Sequence, residues 1–166
     1  CPALSKESLS RLVSIVLTEQ PDSLNISAHD VVAMGRMPYT GFFGSIGRND
    51  EKIVAQAIDL AGATELANRA VATLSDGERQ KVMIARAIAQ QTPMILLDEP
   101  TAFLDYYSKN AIMSTLHSIA MDMGKLIVVS THDLDIARRY ADRFITISRD
   151  GIRDMKSKDM ESMLRI

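Results

Sequence analysis

Two adjacent carboxylates, Asp98 and Glu99, close a short apolar run that reads Met94-Ile95-Leu96-Leu97. A run of this length and character is what a buried parallel strand requires. In open α/β sheets, ligands collect outside the carboxyl ends of such strands. Asp98 would therefore emerge at a strand tip, where its hard oxygens suit Mg2+. Glu99, one residue on, could polarise an attacking water as a general base. Pro100 ends the strand and stiffens its exit. The same pair also reads as turn residues capping a strand, so the chemical reading needs partners elsewhere in the chain.

Three candidates for such partners stand out. Ser75-Asp76-Gly77 is a small polar segment ahead of a helix signal over Glu78 to Gln91, in which Val82, Ala85, Ile88 and Ala89 share one face. The free N–H groups and the positive dipole end of such a helix make an anion site, and Gly77 allows close backbone approach. The segment reads equally as a plain N-cap, with Ser75 or Asp76 capping and Glu78 complementing the dipole. His132 follows a second apolar strand candidate, Lys125 to Ser130, within Ser130-Thr131-His132-Asp133. Asp105, after Ala102-Phe103-Leu104, reads by itself as the N-terminal acid of a helix.

The elements that must position these groups can be read in order. Ser5 caps a short helix containing Leu9 and Leu12, and Leu12 to Leu17 reads as a strand ending at Thr18-Glu19-Gln20-Pro21. Residues 22–73 read as a helical sub-lobe. Within it Ser27 and Asp30 form a capping-box pattern before Val31, Val32 and Met34. Gly35-Arg36-Met37-Pro38-Tyr39 breaks that helix, and 40–47 is a loop rich in Gly and Phe. Asn49 is expected to cap the next helix, with Ile53, Ala57 and Leu60 buried and Gly62 at its end; Thr64 caps a last short helix. Beyond Asp105, Ser108 starts a helix with Ile112, Leu116, Ile119 and Met123 on one face, and Gly124 closes it. Residues 133–142 form a short helix, Arg143 to Ser148 a strand, Asp150-Gly151 a hairpin turn and Ser157 onward a weak terminal helix.

Composition narrows the function classes. The 166 residues suffice for one cored domain with a sub-lobe. With 19 basic and 21 acidic residues the formal charge is −2, so bulk electrostatics give no footprint for nucleic acid. A single cysteine, Cys1, rules out an intrachain disulfide framework and a Cys-rich metal site. No apolar run reaches the length of a membrane span, and no signal-peptide pattern is seen. The sequence begins at Cys1, as expected of a fragment or a processed form.

The four motifs, Leu74 to Gln80, Met94 to Thr101, Ala102 to Asp105 and Ser130 to Asp133, occur in an order that resembles the nucleotide-binding subunit of ABC transporters. The resemblance implies an α/β fold: a P-loop NTPase-like (RecA-like) core, incomplete at its N-terminus, with a helical ABC sub-lobe. Residues 1–21 would be the end of the core with the Q-loop strand. Residues 22–91 would be the sub-lobe ending in the signature helix, and 92–166 core again, with Walker B, D-loop and switch histidine. It implies ATP and Mg2+ as ligands, with Asp98 on the metal, Glu99 as base and His132 on the γ-phosphate. Gln20 would sense Mg2+ and the attacking water, although gapless alignment of the strand puts Glu19 there instead. Ser75, Asp76, Gly77 and Glu78 match the signature segment that closes ATP held by the opposite subunit, and Asp105 matches the D-loop aspartate. This chain has Asp76 where the common form has Gly, and Glu78 where it has Gln.

The implied partners are a second ATPase subunit, head to tail, and transmembrane permease subunits, with no nucleic acid. The implied place is the cytoplasmic face of the cell membrane, as a peripheral subunit. Asp30 to Tyr39 resembles the branch that serves iron–siderophore, haem and cobalamin importers. Tyr39, Phe42 and Phe43 would either dock a permease helix or pack the sub-lobe. The phosphate loop Gly-x-x-x-x-Gly-Lys-Ser/Thr has no counterpart: Gly124-Lys125 is followed by Leu126 and reads as a helix end. A non-transport ABC ATPase, or an inactive interaction fragment, is the alternative. The purified chain alone is expected to bind ATP weakly and not to turn it over; stoichiometric, Mg2+-dependent phosphate release would refute this.

Overall fold

The computed structural model describes residues 4–18, 25–40, 46–148 and 151–156, in two compact units, 1–131 and 132–166. The first is built on a parallel sheet of three strands, β1 (Val13–Val16), β2 (Met94–Asp98) and β3 (Leu126–Ser130), in the order β1-β2-β3. The expected strands are therefore present, and the one that carries Asp98 is central. Pairing runs Val16↔Leu97↔Val129, and Asp98 sits opposite Ser130, so all three chains leave the sheet at one edge.

The two faces of this sheet differ. Val16, Ile95 and Leu97 are fully buried on one side, with the buried Ser14 beside them. There Thr92 Oγ1 lies 3.0 Å from Ser14 Oγ and 2.8 Å from the Met94 carbonyl, so the buried hydroxyls are satisfied. On the other side Ile15 and Val128, which flank Leu96, stay 49% and 42% exposed. A parallel sheet is ordinarily covered on both faces; here one is covered and one is open.

Helix α4 (Asp76–Ala89) packs against β1, burying Val82, Ala85, Ile88 and Ala89 as its periodicity predicts. Polar contacts tie its C-terminal half to the chain leading into the sheet. Gln90 Nε2 donates to the Ser10 carbonyl (2.6 Å), and Arg86 Nη2 donates to that of Ile15 (3.4 Å). Two further helices, α2 (Ala28–Ala33) and α3 (Arg48–Leu60), lie against α4 and complete the helical part. The Ser27 cap and its pairing with Asp30 are as expected. The start of α3 is not: Gly47, rather than Asn49, is the N-cap, because the Asp50 carboxylate reaches back to the Gly47 N–H (3.2 Å). Its buried residues are Val54, Ala57 and Ile58, while Leu60 is 45% exposed, so the helix presents a rotated face to its neighbours. Thr64 begins a 3₁₀ turn without capping it, and Leu12 falls in the turn after helix α1 (Lys6–Ser10).

Arg36 joins these helices. Its side chain is buried, with Nε donating to Asp50 Oδ1 (2.8 Å) and Nη1 to the Ala89 carbonyl (2.7 Å) and Gln91 Oε1 (3.0 Å). The guanidinium also lies 4.2 Å from the Tyr39 ring centroid, a cation–π distance. Tyr39 is thus a packing residue at least in part; Phe42 and Phe43 lie outside the described residues. Gly35 is needed beside it, since a Cβ there would fall 2.3 Å from the Arg86 carbonyl oxygen.

Helix α5 (Tyr106–Met123) begins two residues earlier than expected, at Tyr106 rather than Ser108, with Asp105 as its N-cap in line with its reading as a helix N-terminal acid. Gly124 closes it in the left-handed conformation, as its position predicts. The second unit holds helix α6 (Leu134–Tyr140), capped by Asp133, and the antiparallel pair β4 (Arg143–Ser148) and β5 (Gly151–Lys156). Ala137 and Phe144 form its small core. The expected terminal helix lies outside the described residues.

The Arg36–Asp50 pair has a pH signature. The hydrogen bond from Arg36 holds the Asp50 carboxyl below its ordinary value, helped by the Gly47 N–H. A depressed carboxyl adds stability above its unfolded pKa and loses it as pH falls through the folded one. Asp50→Asn should therefore cost roughly 1–3 kcal/mol at pH 7 by leaving Arg36 under-paired. The difference from wild type should hold down to about pH 4 and shrink below it. Urea unfolding of both proteins from pH 7 to pH 3 measures this; a constant difference would rule it out.

Candidate active site

The sheet edge gathers the chemistry. Asp98 is the last residue of β2, and its carboxylate is exposed. Two hydroxyls hold it, one from each flanking chain. Ser130 Oγ donates to Asp98 Oδ1 (2.7 Å), and Thr18 Oγ1 lies 3.0 Å from Oδ2 and 2.8 Å from the Asp98 carbonyl. Ser130 first, then Thr18, keep the Asp98 carboxyl below the ordinary carboxylate range, so it is ionised at neutral pH. Each carboxylate oxygen accepts one of these hydroxyls and keeps lone-pair capacity for a cation. A carboxylate beside hydroxyl oxygens is a hard donor set that suits Mg2+.

Glu99 is next, and its backbone is left-handed (φ 46°), one of three non-glycine residues with positive φ among the described residues. Such a conformation costs about 1–3 kcal/mol and persists only where surroundings impose it. Here the Glu99 N–H is drawn to both the Ser130 carbonyl (3.1 Å) and the Ser130 hydroxyl (3.0 Å), and the buried Pro100 follows. Glu99 thereby lines a pocket of about 80 Å³ together with Thr18, Asp76, Gln80, Phe103 and Leu104. The pocket thus brings together Glu99 with Asp76 and Gln80 of the segment singled out in the sequence, and adds Thr18. Thr18 and Ser130 stood in the sequence only beside other candidates, at the ends of apolar runs, with nothing to link either to Asp98. Only strand register reveals their target.

At the start of α4 the N-cap reading holds, with Ser75 in that place. Ser75 is the N-cap, and its hydroxyl and N–H both contact Glu78 Oε2 at 2.9 Å, a full capping box. Arg69 Nη1 donates to Glu78 Oε1 (2.7 Å). The Ser75 contacts, then Arg69, hold the Glu78 carboxyl below its ordinary value. The extra charge of Glu78 is therefore paired within the chain, whereas Asp76 is exposed. Gly77 has room: a Cβ there would sit 3.6 Å from Ser108 Oγ and 3.7 Å from Leu104, ordinary contacts. Among the described residues nothing demands glycine at that position.

Asp105 accepts from the N–H groups of Tyr107 (2.9 Å) and Ser108 (3.0 Å) and from Ser108 Oγ (2.5 Å). The Ser108 hydroxyl is the main reason that its carboxyl lies below the ordinary range. Phe103, two residues before it, is 90% exposed at φ 61°. His132 is exposed and opens the second unit. Glu19 and Gln20 lie outside the described residues.

Known proteins resemble this chain in sequence and fold. The sequence pattern described as "ABC transporter" matches residues 4–102. An ABC transporter ATP-binding protein of Methanocaldococcus jannaschii is 40% identical over 144 residues, covering 87% of this chain and 50% of that protein. A cobalamin import ATP-binding protein of Halobacterium salinarum is 37% identical, covering 92% and 38%. An iron(3+)-hydroxamate import ATP-binding protein of Bacillus subtilis is 34% identical, covering 81% and 50%. Among solved structures, an ATP-binding cassette captured as a dimer in a post-hydrolysis state with ADP and Pi superposes with a TM-score of 0.76. It is 28% identical over 93% of this chain and 68% of that one. The chain spans about half the length of the curated relatives it matches. Its core is the P-loop NTPase-like α/β fold of those cassettes, and the chain belongs to the ABC transporter family.

Proposed function

We propose that this chain is part of the ATPase subunit of an ABC importer for iron–siderophore, haem or cobalamin. The observation that carries this reading is the Asp98–Glu99 pair at the tip of the central parallel strand, with Asp98 held by Thr18 and Ser130. Mg2+, when bound, would offset negative charge on the ATP phosphates. Asp98 is the residue that would hold it, since it is ionised, exposed and oriented by two hydroxyls.

The other roles are those that the motif resemblance implies. Glu99 takes a proton from the attacking water as general base. Gln20 and His132 order that water and the γ-phosphate. Ser75, Asp76, Gly77 and Glu78 close the site of a second, head-to-tail subunit, with the free N–H groups at the start of α4 facing its phosphate. Asp105 couples the two sites through the N-terminus of α5. In this division of labour residues 1–21 carry the water-sensing loop, 22–91 the helical lobe and 92–166 the hydrolytic groups. The dimeric cassette that superposes on this chain supports the paired arrangement. The names of the relatives support cobalamin or iron-chelate import. The partners in the membrane would be permease subunits, with this chain bound at the cytoplasmic face. Among the described residues no helix is long and apolar enough to cross a membrane.

The test is made on a cassette that contains this chain together with a Gly-x-x-x-x-Gly-Lys-Ser/Thr loop. Glu99→Gln should lower its ATPase rate by about 10²–10⁴-fold, with ATP affinity unchanged in a filter-binding assay. A near-normal rate would remove Glu99 as the base. Gly77→Ala should leave the fold unchanged or more stable by up to about 1 kcal/mol, because alanine is the better helix former. The same change should cut ATPase activity about tenfold or more by crowding an oxyanion approached by backbone N–H groups. Equal activity and stability for Gly77→Ala would show that no phosphate approaches there.

A further inference from the structure

Asp98 is exposed, so its own packing does not set the plane of its carboxylate. Thr18 lies two residues beyond β1 and Ser130 is the last residue of β3, so the two hydroxyls bracket Asp98 from opposite sides. Neither hydroxyl is a casual surface contact. Ser130 Oγ accepts the Glu99 N–H and donates to Asp98 Oδ1, a relay with its direction fixed at both ends. Thr18 Oγ1 sits between the Asp98 carbonyl and Oδ2. The backbone of the general base and the carboxylate of the metal-holding residue are thereby set by the same serine.

We propose that Thr18 and Ser130 are positioning residues that clamp the Asp98 carboxylate in its cation-binding orientation. The inference rests on the reading of Asp98 as the Mg2+-holding residue and adds the groups that make it effective. Residues that orient a metal ligand contribute about 10–100-fold in metal affinity. Hydroxyl loss is expected to act on the metal and leave the binding of metal-free nucleotide alone, because both hydroxyls are engaged by Asp98.

The test uses Mn2+ as a spin-active replacement for Mg2+, in the complete cassette saturated with a non-hydrolysable ATP analogue. Protein-bound Mn2+ is titrated by electron paramagnetic resonance, and metal-free analogue binding is measured in parallel. Thr18→Val and Ser130→Ala should each weaken Mn2+ about tenfold without changing metal-free nucleotide affinity, and Thr18→Ser and Ser130→Thr should restore it. Asp98→Asn is the reference and should lose Mn2+ binding. If Asp98→Asn loses the metal while Thr18→Val and Ser130→Ala bind it as wild type does, the clamp is wrong and the reading of Asp98 stands. If Asp98→Asn binds Mn2+ normally, the reading of Asp98 fails and the clamp with it. Loss that the hydroxyl-restoring variants do not recover would also overturn the clamp, since it would trace to packing rather than to the hydroxyl.

Discussion

Parallel pairing of β2 with a strand on each side is the constraint on which the site depends. Parallel strands end at a common edge, so the residues that leave β1, β2 and β3 meet there. Thr18 and Asp98 are 80 residues apart in sequence, and Ser130 and Asp98 are 32 apart, yet each hydroxyl lies within 3.0 Å of a carboxylate oxygen. A one-residue slip in either pairing would turn Asp98 or its clamp to the other face of the sheet. The buried side of the sheet guards against that slip. Val16, Ile95 and Leu97 fit the covered face only in this register.

Helix α4 gives the opposite end of the argument. Its C-terminal half is held by Arg36 on the Ala89 carbonyl, by Gln90 on that of Ser10 and by Arg86 on that of Ile15. Its N-terminus is shaped by the Ser75–Glu78 capping box and left with free N–H groups. The helix is a rigid rod anchored at one end and presented at the other. The burial of Arg36 within the helical lobe makes that anchoring costly to break. Gly77 belongs to that N-terminal end, where an added Cβ would meet Ser108 Oγ and Leu104 at ordinary contact distances.

Local features were legible in the sequence where their cause lies within a few residues. The buried face of α4, the Ser5 and Ser27 caps and the Gly124 helix end all follow from periodicity or from a side chain reaching three or four positions along, and of Ser75 and Asp76 it is Ser75 that caps α4. The errors have equally local causes. At α3, Asp50 reaches back to Gly47 and moves the start ahead of Asn49; at α5, Asp105 takes the N–H groups of Tyr107 and Ser108. In each case an acid near the helix start fixes where it begins, because an ionised carboxylate accepts a strong hydrogen bond from a backbone N–H.

The sequence by itself determined the order of the motifs, the family they resemble and the apolar run that carries Asp98 and Glu99 to a strand tip. Those are statements about residue type and spacing, and the chain carries both in its primary structure. Only the tertiary structure decided that Thr18 and Ser130 hold Asp98, that the Ser130 hydroxyl and carbonyl bend Glu99 into a left-handed turn, and that Arg36 is buried between helices. These depend on which strand pairs with which and in what register. Register is settled by the summed burial of a whole sheet face, which no short stretch of sequence contains.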